Sequence, residues 1–132
     1  MPRKHILGDL QLAIMRVLWA RGEASAGDVH AALHAERGLA PTTIATMLRK
    51  MEEKGLVGHR ADGRLFLYRA RVAEAKVRHS MVGELVQRVF LGDSAALVNH
   101  LLREGEIAPE ELARLKRLIE ARQKDGQGRD GR

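Results

Sequence analysis

Thr42, Thr43 and Thr46, followed by Arg49 and Lys50, are the residues of this chain best suited to reading a nucleic acid. Threonine hydroxyls can meet base edges or phosphates, and their methyls can touch a thymine methyl. Arg49 and Lys50 suit the phosphate backbone. Further along, His59, Arg60 and Arg64 lie beside Asp62-Gly63, where they could meet sugar and phosphate. The bland alternative for the first set is a solvated helix face, for which three threonines are odd choices because they are poor helix formers. For the second set it is an edge kept soluble by cations. Tip position and sign favour contact.

Those side chains need a helix and a hairpin to hold them. Pro41 suits the first turn of a helix, where its missing N–H costs nothing. Ile44, Met47, Leu48 and Met51 fall on one side at helical spacing, with Thr42, Thr46 and Arg49 opposite, flanked by Thr43 and Lys50. Gly55 is a natural stop. Asp62-Gly63 between strand-like runs predicts a tight hairpin, with Leu65 to Tyr68 as the return strand. Upstream, Leu10, Ile14, Val17 and Leu18 predict a first helix over about Gly8 to Ala20, stopped by Arg21-Gly22. Ser25 to Asp28 is a capping box opening a second helix that Gly38 ends. Trp19 reads as a core residue beneath the hairpin. Helix, helix, helix and hairpin is the order of a winged helix-turn-helix.

Beyond the hairpin the pattern is helical again. Val82, Leu85, Val86, Val89 and Phe90 form one stripe. Leu97, Val98, Leu101 and Leu102 form another, and Leu112, Leu115, Leu118 and Ile119 a third after Pro109. Three short amphipathic helices cannot bury these faces alone. A second copy is the economical cover, since twofold contacts are the commonest in oligomers. The expected architecture is mainly α with a small β-hairpin wing: a winged helix-turn-helix over 1–71, a helical dimerisation domain over 72–122, and a Gly-rich, charged, disordered tail over 123–132.

The 132 residues suit one domain, or a small domain with a dimerisation extension. The net charge of +6 favours a polyanionic partner, and most of the excess falls in the first 69 residues. With no cysteine, disulfides, thiolate metal sites and thiol sensing are excluded. That composition fits a reducing cytoplasm. Charged residues interrupt the apolar N-terminus, which reads neither as a signal peptide nor as a membrane span. His30 and His34 have metal-ligand spacing, but no third ligand sits at a matching distance, and exposed histidines are the better reading. Adjacent glutamates at 52–53 and 110–111 do not face each other on a helix. No phosphate loop, nucleophile elbow or triad spacing occurs, so neither an enzyme nor a cofactor is expected.

Ile14-Met15-Arg16-Val17-Leu18-Trp19 resembles the first-helix signature of the penicillinase and methicillin-resistance repressors, the BlaI/MecI family. Ala24-Ser25-Ala26, Thr42-Thr43-Ile44, Lys54-Gly55-Leu56-Val57 and Phe66-Leu67-Tyr68 follow at that family's spacing, over about Leu7 to Arg122. The resemblance implies a homodimeric transcriptional repressor on a palindromic, double-stranded operator, with DNA contacts at Thr42, Thr43, Thr46 and Lys50 and Arg49 alongside. It differs from the methicillin-resistance repressors in having Thr42 and Ala45 where they carry basic residues. The family's resistance repressors are cut at an Asn-Phe bond by a sensor-linked protease. The matching region here is Asn99, His100 and Leu101, which lacks that pair. Two other readings remain: a ligand-sensing regulator of PadR or MarR type, and a winged-helix module that binds protein. A ligand-dependent rise in melting temperature would favour the first. Absence of a gel shift at low salt would favour the second.

Overall fold

Three helices, a hairpin and three more helices follow one another in the computed structural model, which describes residues 5–105 and 107–130, with side chains through 126. The helices α1 (Asp9–Arg21), α2 (Ala26–Arg37) and α3 (Pro41–Glu53) precede strands β1 (Val57–Asp62) and β2 (Leu65–Ala70). The helices α4 (Glu74–Phe90), α5 (Ser94–Arg103) and α6 (Pro109–Asp130) complete the chain. The chain divides into two compact units, Met1–Leu85 and Val86–Arg132.

In the first unit the sequence signals act as caps and stops. Ser25 and Asp28 exchange hydrogen bonds: the Asp28 N–H donates to Ser25 Oγ, and the Ser25 N–H to Asp28 Oδ2, both at 3.1 Å. The start of α2 is thereby satisfied on two donors. Gly38 closes α2 in the left-handed conformation. Pro41 occupies the first turn of α3. β1 and β2 pair antiparallel, with His59 opposite Tyr68 and Asp62 opposite Leu65. Gly63 supplies the positive φ of 63° that this turn needs. Ala24 forms an isolated antiparallel bridge to Tyr68, so the connection between α1 and α2 lies on the free edge of β2.

Ile14, Met15 and Leu18 of α1 meet Val29 of α2, Ile44, Leu48 and Met51 of α3, and Val57 of β1 in one buried cluster. Fully burying a side chain of this size contributes about 1.5–3 kcal/mol, so the stripe on α3 that faces inward fixes which face remains outside. The cluster also takes in Val77 of α4, which is 1% exposed. That contact extends the first unit to Leu85, past the boundary expected at residue 71. Trp19 is half-buried at the same place rather than beneath the hairpin. Its indole N–H donates to the Val72 carbonyl at 2.9 Å, just beyond β2, and it lines a shallow groove of about 160 Å³ with Leu12, Val77 and Met81. An indole donor needs such an acceptor when it leaves water.

The second unit begins within α4. Leu91 (φ 52°) and Gly92 (φ 85°) end that helix, and the Gly92 N–H donates to the Val86 carbonyl at 3.0 Å. Asp93 then caps α5 by accepting from the Ala96 N–H at 3.0 Å. The α4 and α6 helices have 17 and 22 residues, longer than the apolar stripes alone suggest. Residues 123–130 continue α6 rather than forming the expected tail. Ala121, Arg122, Gln123 and Lys124 are strong helix formers that carry the helix toward the glycines, each of which opposes it by about 1 kcal/mol. Residues 131 and 132 lie outside the described residues.

Candidate nucleic-acid interface

With Ile44, Leu48 and Met51 buried, helical geometry turns Thr42, Thr43, Thr46, Arg49 and Lys50 outward, and all five are exposed. None of the five forms a side-chain hydrogen bond among the described residues. They present donors, acceptors and two cations on one side of a helix, the element that a major groove is wide enough to admit.

Beside that helix runs a groove of about 400 Å³. Ala45 and Arg49 of α3 form one wall, and Arg64, Leu65 and Phe66 of the hairpin form another. Ser25, Ala26 and Gly27, at the start of α2, also line it. Arg49 and Arg64 therefore contribute cations to one channel from two elements, and Arg64 is exposed at the hairpin tip.

The other two hairpin residues are engaged by carboxylates of the same chain. His59 Nδ1 lies 2.7 and 2.8 Å from the two Glu52 oxygens at the end of α3. Its ring packs 4.5 Å from that of Phe66 and 5.5 Å from that of Tyr68, centre to centre. Arg60 points to the opposite face of the strand. There its Nε–H donates to Glu23 Oε2 at 2.8 Å and Nη2 donates to Oε1 at 2.9 Å. This fork holds the Glu23 carboxyl below its ordinary value, mainly through the hydrogen bonds from Arg60, and raises the Arg60 guanidinium correspondingly. Burial raises the Tyr68 phenol.

Of the sequence-predicted site residues, the five on α3 share one face and Arg64 joins them across the groove. His59 and Arg60 are separated onto opposite faces of the hairpin. Sequence alone did not reveal the carboxylate partners. Glu23 is 37 residues from Arg60, and only the Ala24 bridge, invisible in a local pattern, brings it near. His30 and His34 stand 5.1 Å apart between ring centres, and His30 Nε2 lies 2.7 Å from the Leu39 carbonyl, which occupies one ring nitrogen. In the second unit, Asn99, His100 and Leu101 lie exposed on α5, with the His100 ring 5.9 Å from Phe90.

A three-helix core, an outward polar helix and a hairpin bordering a cationic groove define a winged-helix protein of the DNA-binding class. Its sequence carries the match further: residues 7–121 fit the penicillinase repressor family, and the chain belongs to that family of DNA-binding transcriptional repressors. It is 37% identical over 118 residues to the transcriptional regulator BlaI of Mycobacterium tuberculosis, covering 87% of this chain and 86% of that one. It is 25% identical over 114 residues to the penicillinase repressor of Bacillus licheniformis, covering 86% and 89%. Among solved structures it resembles monomeric Bacillus licheniformis BlaI in complex with the blaP half-operator. There the TM-score is 0.50 at 29% identity, over 58% of this chain and 93% of that one. No helix among the described residues is long and apolar enough to cross a membrane.

Proposed function

We propose that this repressor binds a palindromic operator in the cytoplasm as a homodimer, with α3 in the major groove. The observation that carries this reading is the cationic groove shared by Arg49 and Arg64 beside the exposed face of α3. Thr42, Thr43 and Thr46 meet the bases. Arg49, Lys50 and Arg64 meet the phosphates, one strand of which follows the groove. His59 and Arg60 serve from the hairpin, each held by its own carboxylate.

The second copy is supported by apolar surface left in water. Val82, Leu85, Val89, Val98, Leu101, Leu102, Leu112, Leu118 and Ile119 are each more than two-fifths exposed, whereas Val86, Phe90, Leu97 and Leu115 are half-buried within the chain. Full burial of such side chains contributes about 1.5–3 kcal/mol each. Association costs about 4–15 kcal/mol, so several must be covered together, which a twofold interface does with matching stripes.

Release by a sensor-linked protease at Asn99, His100 and Leu101 is favoured by their exposure. It requires α5 to open locally, since the bond lies inside a helix. Selection of duplexes from a random library tests the whole reading. The expected result is an enriched inverted repeat whose half-sites lie about one helical turn apart. Enrichment of no sequence, or of single half-sites alone, would defeat it.

A further inference from the structure

We infer that Arg60 is a positioning residue that sets the wing through Glu23, and that it does not reach phosphate. This rests on the DNA-binding reading above and assigns one wing cation a different role within it.

The backbone places the two residues across a sheet. β2 is central, with β1 on one edge and the Ala24 segment bridged to Tyr68 on the other. Glu23 precedes Ala24, so it belongs to that far edge. Arg60 is in β1, so its contact with Glu23 spans the central strand. Because His59 turns toward Glu52 of α3 and side chains alternate along a strand, Arg60 occupies the face turned away from α3. The contact is a two-point fork at 2.8 and 2.9 Å, the geometry in which an arginine fixes direction as well as charge. A single flexible cation reaching for phosphate needs no such partner.

The Glu23 segment leads directly into Ser25, Ala26 and Gly27, which line the same groove as the wing residues Arg64 and Phe66. A clamp between Glu23 and Arg60 therefore ties the wing to the start of α2, two of the elements that border the groove the DNA backbone is to follow. Both residues are partly exposed, at 37% and 51%, so the fork orients the wing more than it stabilises the fold.

The test compares Arg60→Gln, Glu23→Gln, the double variant and the charge-exchanged pair Glu23→Arg with Arg60→Glu, in the full chain. The DNA is a duplex recovered by the wild type from a random library, titrated over a range of salt. Each single variant should weaken binding about three- to fivefold. The double variant should add nothing further, because both remove one interaction. The logarithmic salt slope should stay at the wild-type value, whereas Arg64→Gln should lower it by about 1. The exchanged pair should restore most of the affinity. Amide exchange supplies a reading independent of DNA: protection of the Ala24 and Tyr68 amides should fall equally in both singles. A slope lowered by about 1 in Arg60→Gln, tighter binding in Glu23→Gln, or unchanged amide exchange in both singles would overturn the assignment. Failure of the wild type to select any duplex would sink the DNA-binding reading instead, and the exchange data would still decide the clamp.

Discussion

Ala24 and Tyr68 exchange two backbone hydrogen bonds, the Ala24 N–H donating to the Tyr68 carbonyl at 3.0 Å and the Tyr68 N–H to the Ala24 carbonyl at 2.8 Å. One residue between two helices thus pairs with the free edge of β2, and the wing is fastened to the helix-turn-helix by main chain. Ala24 is 1% exposed and Tyr68 8% exposed, so water cannot replace either bond cheaply. Ala24→Pro removes a donor and leaves a buried carbonyl unpaired. The expected loss is about 1–3 kcal/mol of unfolding free energy, measured by urea denaturation. An unchanged midpoint would show that the bridge contributes nothing.

The cap of α2 carries a pH signature. Hydrogen bonds with Ser25, the backbone one first, hold the Asp28 carboxyl below its ordinary value of 3.8. A depressed carboxyl contributes stability above its unfolded value and loses that contribution as pH falls through the lowered folded value. Asp28→Asn should therefore be less stable than wild type at neutral pH, with the two stability curves converging in acid below 3.8. Ser25→Ala should lose about 1 kcal/mol at neutral pH. Parallel curves for Asp28→Asn and wild type across the whole range would remove the carboxylate from the cap.

The outward face of α3 predicts which losses depend on sequence. Thr43→Ala and Thr46→Ala delete hydroxyls that the fold leaves without internal partners. Each should weaken binding to the selected duplex by about 1 kcal/mol, roughly fivefold, and leave binding to random duplex nearly unchanged. Fluorescence anisotropy against both duplexes at one salt concentration decides it. Equal losses on the two would take these threonines out of base reading.

What the sequence made legible was whatever depends on neighbours along the chain. The α3 stripe, the Ser25 cap, the Gly38 stop and the Asp62-Gly63 turn are local patterns, and the residues exposed on α3 follow from the residues buried on it. The partners of His59 and Arg60 depend on strand faces and on a bridge from a loop, which no periodicity announces. The place of Trp19 is hidden from the sequence for the same reason. Its acceptor, Val72, is 53 residues away, and the helix beside it begins with Glu74, outside the apolar stripe that marks α4. Glutamine and lysine near the end of α6 sustain a helix that glycine-rich composition argued against.

The second unit leaves large apolar side chains in water. Val89 is 62% exposed and Leu118 59% exposed, on α4 and α6, and neither is explained by the fold of a single chain. If a second copy covers them, Val89→Asp or Leu118→Lys places a charge in a desolvated contact, where an unpaired ion is strongly disfavoured. The chain's own core would be untouched, because neither residue contributes to it. Sedimentation equilibrium should then show dimer in the wild type and monomer in each variant. Far-ultraviolet circular dichroism and the melting of the first unit should stay unchanged. On DNA, the variants should lose affinity for the inverted repeat far more than for a single half-site, because one protein then engages only one half. A variant that stays dimeric would move the interface away from these helices, and a monomeric wild type would leave the exposed leucines and valines to another partner.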